Sequence, residues 1–206
     1  MKTILKYILL LMLFTNCKAQ NNSQKTTIMK TFDIETFNKN KNHLNEYTFV
    51  DNDSTVTKQS DDNYEYYETI KPKESFFQSI NRYYKNGNIK LEGQIFQHFF
   101  QKGIWKEYDE HGNLIKETDY DAPYKFTWED ISKLIKDRKL DMDAYGFEVT
   151  RSFGFGTANI GKETEKPFWA ITYNKSEEDM LLGVIIIDGV TGKIIKEYDE
   201  PYPSEE

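Results

Sequence analysis

The sequence predicts an α+β protein: an N-terminal antiparallel β-hairpin meander, then a helix packed on a four-stranded antiparallel sheet. Three observations predict it. A hairpin phrase around Asn86-Gly87 returns 25 residues later around Gly112-Asn113. A single stretch, Thr127 to Lys139, carries apolar residues at helical spacing. Four strand-like runs follow that stretch, the last two joined by a tight Asp188–Gly192 turn.

Composition narrows the functional class. Aromatic residues make up 15% of the 206, far above what a chain unable to build a core carries. The lone cysteine rules out an intrachain disulfide scaffold. A formal net charge of -7 argues against sequence-independent nucleic-acid binding, which needs a positive surface to displace counterions.

The chain opens on an export-type signal: Lys2 and Lys6, the apolar run Ile8 to Phe14, then Thr15, Asn16, Cys17 and Lys18. The run is too short to span a bilayer, and no later run reaches the required ~20 apolar residues, so no transmembrane segment is expected in the mature chain. Leu13-Phe14-Thr15-Asn16-Cys17 resembles a loose lipobox of lipoproteins of the Bacteroidetes. That resemblance implies acylation of Cys17, with the lipid as the membrane contact. The rival is ordinary cleavage behind Ala19, freeing a soluble protein that begins at Gln20. Asn21 to Thr27 reads as a flexible tether. Lys18-Ala19-Gln20 lacks the acidic residues that mark surface export in some such lipoproteins, which favours the periplasmic over the outward face of the outer membrane.

From Tyr47 to Tyr120 the chain is punctuated as hairpins. Tyr47 to Val50 is a strand, Asp51 to Ser54 a turn and Thr55 to Thr57 a return strand; Tyr64 to Ile70 is a second aromatic strand closed by Pro72. Tyr83-Tyr84 leads into Lys85-Asn86-Gly87-Asn88, where Asn-Gly predicts a type I′ turn. Gly87-Asn88-Ile89-Lys90-Leu91-Glu92 is echoed by Gly112-Asn113-Leu114-Ile115-Lys116-Glu117, with Gly103-Ile104-Trp105-Lys106-Glu107-Tyr108 between them. This pattern resembles the MORN-like repeats of the second variety, found in exported Bacteroidetes proteins and in some antitoxin-type proteins. The resemblance implies an interaction surface.

Thr127 and Asp130 form a capping box before Trp128, Ile131, Leu134 and Ile135. Strands are expected at Gly146 to Phe153, Pro167 to Tyr173, Leu181 to Asp188 and Lys193 to Tyr198; the apolar run Leu182 to Ile187 marks a central strand. The helix, Trp169-x-Ile171-x-Tyr173 and the Asp188-Gly189-Val190-Thr191-Gly192 hairpin resemble the PepSY-like small domain of exported bacterial proteins. The chain thus divides into a signal peptide (1–16), a lipid-anchored tether and N-terminal segment (17–46), a MORN-like sheet (47–121), a PepSY-like region (122–200) and an acidic tail (201–206).

Chemical motifs are sparse. Gly156 to Lys162 copies part of a phosphate-binding loop, but Glu163 replaces the Mg²⁺-binding hydroxyl and Pro167 blocks the helix that must follow, so a glycine-rich hairpin loop is expected. Asp51-Asn52-Asp53 with Asp62 imitates a calcium loop without its central glycine, and reads as a solvated turn. His43, His98 and His111 stand at no zinc spacing, and no serine occupies a nucleophile elbow. No cofactor or metal is expected. The rings Tyr66, Tyr67, Phe76, Phe77, Tyr83, Tyr84, Phe96, Phe99, Phe100, Trp105 and Tyr108 read mainly as core, with Trp105, Tyr84 and Tyr108 as candidate binding residues.

The expected function is a lipid-anchored, non-enzymatic binding or scaffolding module of the cell envelope. Its partners are the membrane, through the N-terminal lipid, and a protein or carbohydrate, not nucleic acid. Two alternatives stand beside it: an inhibitor or immunity-type protein acting on an exported protease or toxin, implied by the two resemblances, and an envelope hydrolase using some pair among the 34 acidic residues.

Overall fold

The computed structural model describes residues 29–97, 100–152, 166–176 and 178–203. Cys17, the leader 1–16, the tether, His98, Phe99, the loop Gly156 to Glu163 and the last three residues of the acidic tail lie outside the described residues. Among the described residues the architecture is mostly antiparallel sheet with two helices. A seven-stranded meander runs in chain order through β1 (Glu46–Val50), β2 (Val56–Asp61), β3 (Glu65–Lys71), β4 (Phe77–Tyr84), β5 (Ile89–Phe96), β6 (Phe100–Tyr108) and β7 (Leu114–Asp119). A four-stranded sheet has the order β11 (Ile194–Pro201), β10 (Leu181–Asp188), β9 (Phe168–Ser176), β8 (Glu148–Ser152). Helix α1 (Ile34–Asn40) precedes the first sheet and α2 (Trp128–Asp137) joins the two. Among the described residues no helix is long and apolar enough to cross a membrane.

The expected hairpins are present, and their turns are of a different type. A type I′ turn needs positive φ at both central residues, whereas here only Gly87 has it, at φ 88°. Gly87 N–H donates to Tyr84 O and Tyr84 N–H to Asn88 O, both at 2.9 Å, which makes a type I turn closed by a left-handed glycine. The same ring recurs 25 residues on: Gly112 N–H to Asp109 O and Asp109 N–H to Asn113 O, both at 3.0 Å, with Gly112 at φ 83°. The repeat is therefore one of turn geometry as well as of letters. Asn86 and Asn88 both donate to Glu110 O and tie the two turns together.

Helix α1 falls within the expected tether and N-terminal segment. Asp33 caps it by accepting from Thr36 N–H, and Phe37 is its only buried side chain. Phe32, Phe37, Tyr66, Tyr83 and Ile89 form one buried cluster, with the Phe32 and Tyr66 rings stacked at 4.5 Å. Phe32 N–H donates to Gly87 O, so the entering segment is sewn onto the first repeat turn.

Helix α2 begins at the expected capping box, Thr127 with Asp130. Its Ile131 and Ile135 are buried in the same cluster as Phe96 and Phe100 of the first sheet and Val149, Trp169, Ile171, Ile185 and Ile187 of the second. Phe168, Ala170, Val184 and Ile186 form a further buried cluster from the alternate residues of β9 and β10. Both interior strands are thus buried on two faces, which accounts for the unbroken Leu182 to Ile187 run. Strand β11 extends to Pro201, three residues beyond the expected Tyr198 and into the segment read as tail.

Candidate functional site: a polar ladder across the meander

Directly opposed residues of neighbouring antiparallel strands share a face of the sheet. Following the register from β1 to β7 gives one row: Tyr47, Gln59, Glu68, Asn81, Glu92, Lys106 and Glu117, one residue from each strand. Six of the seven are polar or charged. The row lies between the Tyr66–Tyr83–Ile89 cluster on one side and the row Phe77–Phe96–Phe100 on the other.

Hydrogen bonds fix two parts of the ladder, and an ion pair joins its last two members. Glu68 accepts from Gln59 Nε2 at 2.9 Å, Asn81 Nδ2 at 2.9 Å and Tyr83 Oη at 2.8 Å. Asn81, only 1% exposed, accepts at Oδ1 from Lys30 Nζ at 2.9 Å. Glu92 accepts from Tyr108 Oη at 2.7 Å. Lys106 stands 3.6 Å from Glu117. Burial, together with the nearby Glu92 carboxylate, pushes the Tyr108 phenol up to about 12, and burial with Glu68 raises Tyr83 further. Both phenols therefore remain donors at any physiological pH.

Over the Asn81–Glu92–Lys106 part of this ladder and the neighbouring Ser79–Gln94 row lies an open groove of about 180 Å³, lined also by Lys30, Gly93 and Ile104. Amide, hydroxyl, carboxylate and ammonium groups face one space, and the arrangement offers both hydrogen-bond donors and acceptors to a polar ligand.

No family model, curated protein or solved structure matches the chain. The site is accordingly built from its own geometry.

The ring residues singled out from sequence do not converge. Tyr108 is on the ladder face, with its hydroxyl on Glu92. Trp105 and Tyr84 belong to the opposite face by register. Trp105 lies over Gly93, donates from Nε1 to Gln94 O at 3.2 Å and meets Tyr120 edge-on at 5.9 Å. Tyr84 Oη donates to Tyr108 O at 2.8 Å, joining two strand ends. Of the other rings, Tyr66, Tyr83, Phe96 and Phe100 are buried, and Phe76 is 36% exposed. Ladder residues Glu68, Asn81, Glu92 and Lys106 were missed. The available signal was the repeat itself, because Asn81 and Lys106, and likewise Glu92 and Glu117, stand 25 residues apart.

The remaining motifs resolve into turns. Asp53 accepts from Thr55 N–H, and Asp62 accepts from Tyr64 N–H, Glu65 N–H and Tyr67 Oη. These turns cap opposite ends of β2, roughly 20 Å apart, so Asp53 and Asp62 share no ion. His43 and His111 are exposed. Among the described residues no three His, Cys, Asp or Glu side chains gather closely enough to hold a metal.

A second cavity, of about 140 Å³, lies between the sheets, lined by Lys102, Asp121, Tyr124, Thr127, Trp128, Glu129, Arg151 and Trp169. Arg151 of β8 is its anchor: its guanidinium stacks 4.8 Å from Phe100, 4.7 Å from Tyr124 and 5.4 Å from Trp169. Nη1 donates to Asp121 at 2.7 Å, and Nη2 donates to Gln101 O. Lys102 pairs with Glu129 at 3.1 Å.

Proposed function

We propose that this chain is a non-enzymatic binding or scaffolding module of the cell envelope, held at the membrane by a lipid on Cys17 and presenting the ladder groove to its partner. In this reading the meander is a MORN-like interaction sheet, and α2 packs on the four-stranded sheet in a PepSY-like arrangement. The supporting observation is the ladder: six polar side chains stand in register between two apolar clusters, and three of them, Asn81, Glu92 and Lys106, line one open groove. Pre-set polar groups lower the ordering cost of binding a polar surface. Glu68 accepts from three donors, which suits a positioning group better than a reacting one.

The tether is tested on protein purified from membranes. A diacylglycerol mass on residue 17 is expected, together with release of a Cys17→Ser variant from the membrane fraction. A free start at Gln20, or turnover of a sugar or peptide substrate that is lost in Glu68→Gln or Glu92→Gln, contradicts the reading.

A further inference from the structure

We propose that the junction cavity between the two sheets binds a carboxylate group, independently of the ladder groove. The argument starts from an asymmetry in its charges. Its cations are withdrawn from water: the Arg151 side chain is 6% exposed and that of Lys102 is 23% exposed. Their carboxylate partners are not, at 41% exposed for Asp121 and 71% for Glu129. A buried guanidinium is costly unless it is paired, and ion pairs made by exposed side chains are weak and salt-screened. The exposed partners are thus replaceable, whereas the cations are fixed in place.

The surroundings hold both cations in one geometry. Three rings sandwich the Arg151 guanidinium, and Lys102 Nζ stands 4.5 Å over the Phe77 ring. Thr127, Trp128 and Glu129, at the start of α2, complete the wall. Displacing Asp121 frees Nη1 of Arg151 for an incoming carboxylate, a charge-assisted hydrogen bond, while Nη2 stays on the Gln101 carbonyl and keeps the guanidinium in place. Tyr124, Trp128 and Trp169 supply an aromatic floor beneath the charged wall. A space of about 140 Å³ suits a carboxylate carrying a short apolar body. Such a group is found at the C-terminus of a polypeptide or in a small free acid.

Calorimetric titration of the full chain with N-acetyl-alanine, its amide, and a tripeptide ending in a free alanine carboxylate tests the assignment. Saturable binding of the acid and none of the amide is expected. Tighter binding of the tripeptide marks a chain end as the source, and equal binding marks a small acid. Lys102→Met, chosen because Arg151→Met removes a junction contact that folding needs, is expected to weaken binding roughly 10- to 100-fold. Glu129→Gln, which frees Lys102 from its exposed partner, is expected to tighten binding about two- to fivefold. A purely structural cluster would not give that tightening. Equal binding of acid and amide, no binding of either, or weaker binding in Glu129→Gln overturns the proposal. The groove reading survives any of these results, since its residues are different.

Discussion

Replacing Asn81 with aspartate exchanges an amide for a carboxylate of the same shape at the centre of the ladder. The amide nitrogen donates to Glu68 at 2.9 Å, and Glu92 lies directly opposite on β5. A carboxylate at position 81 therefore sits between two others across adjacent strands. At about 5 Å between carboxylate centres and an effective dielectric of about 20, each of these contacts repels by ~3 kcal/mol. The exposed Lys30 ammonium, 2.9 Å from Oδ1, offsets ~1 kcal/mol in a water-like dielectric. Water reaching the half-exposed flanking glutamates screens the repulsion further, which leaves a net cost of about 4 kcal/mol at pH 7. For a chain of this size that is a fall in Tm of roughly 8–16 °C. The repulsion raises the folded-state pKa of the introduced carboxyl above its unfolded value of about 3.9. The deficit relative to the native chain is accordingly full above the raised folded value, shrinks as pH falls through it, and is gone below about pH 4. Urea unfolding of both proteins between pH 4 and pH 8 measures it. An Asn81→Asp chain as stable as the native one at pH 7, or a deficit that grows on acidification, refutes the ladder.

The same sheet yields two further predictions. A Cβ on Gly93 would fall inside the Trp105 indole, so Gly93→Ala is expected to cost about 1–3 kcal/mol and to shift Trp105 fluorescence to longer wavelength as the ring leaves the sheet; unchanged emission contradicts the contact. Burial alone would raise the Glu65 carboxyl, but hydrogen bonds from Lys90 and Arg82 outweigh it and hold the group below its ordinary range. That stabilisation is full above about pH 4.3 and is lost as pH falls through the depressed folded value, so Glu65→Gln, which lacks it, should flatten the stability curve below pH 4.3 and cost ~1–3 kcal/mol at pH 7; equal slopes contradict the pairing.

The hairpin framework was legible because its signals are local. Asn-Gly, the 25-residue echo, the Thr127 capping box and the Asp188–Gly192 turn each act over a few residues, and each appears in the structure where expected. The turn type was misread because Asn86 tolerates positive φ without adopting it; one left-handed glycine closes the ring. Helix α1 left little trace, having seven residues and a single buried side chain, Phe37, which no periodicity can reveal. The ladder depends on long-range register. Gln59, Glu68, Asn81, Glu92, Lys106 and Glu117 look like ordinary surface residues until the bulges at Arg82/Tyr83 and Glu107/Tyr108 set how the strands align. Arg151 was similarly hidden, since its partners Asp121 and Gln101 come from distant segments.

The most direct test of the groove places a photo-activated cross-linking side chain at Ile104, which lines the groove, and at Ile195 of β11 as a control, in cells expressing the full chain. Both positions are exposed, at 54% and 49%, so reach does not distinguish them. A discrete adduct from position 104, weakened by Asn81→Asp at neutral pH and absent from position 195, is the predicted result. Adducts of equal yield at both positions, or none at 104 in cells that express the chain, would contradict the assignment of the ladder as the binding surface.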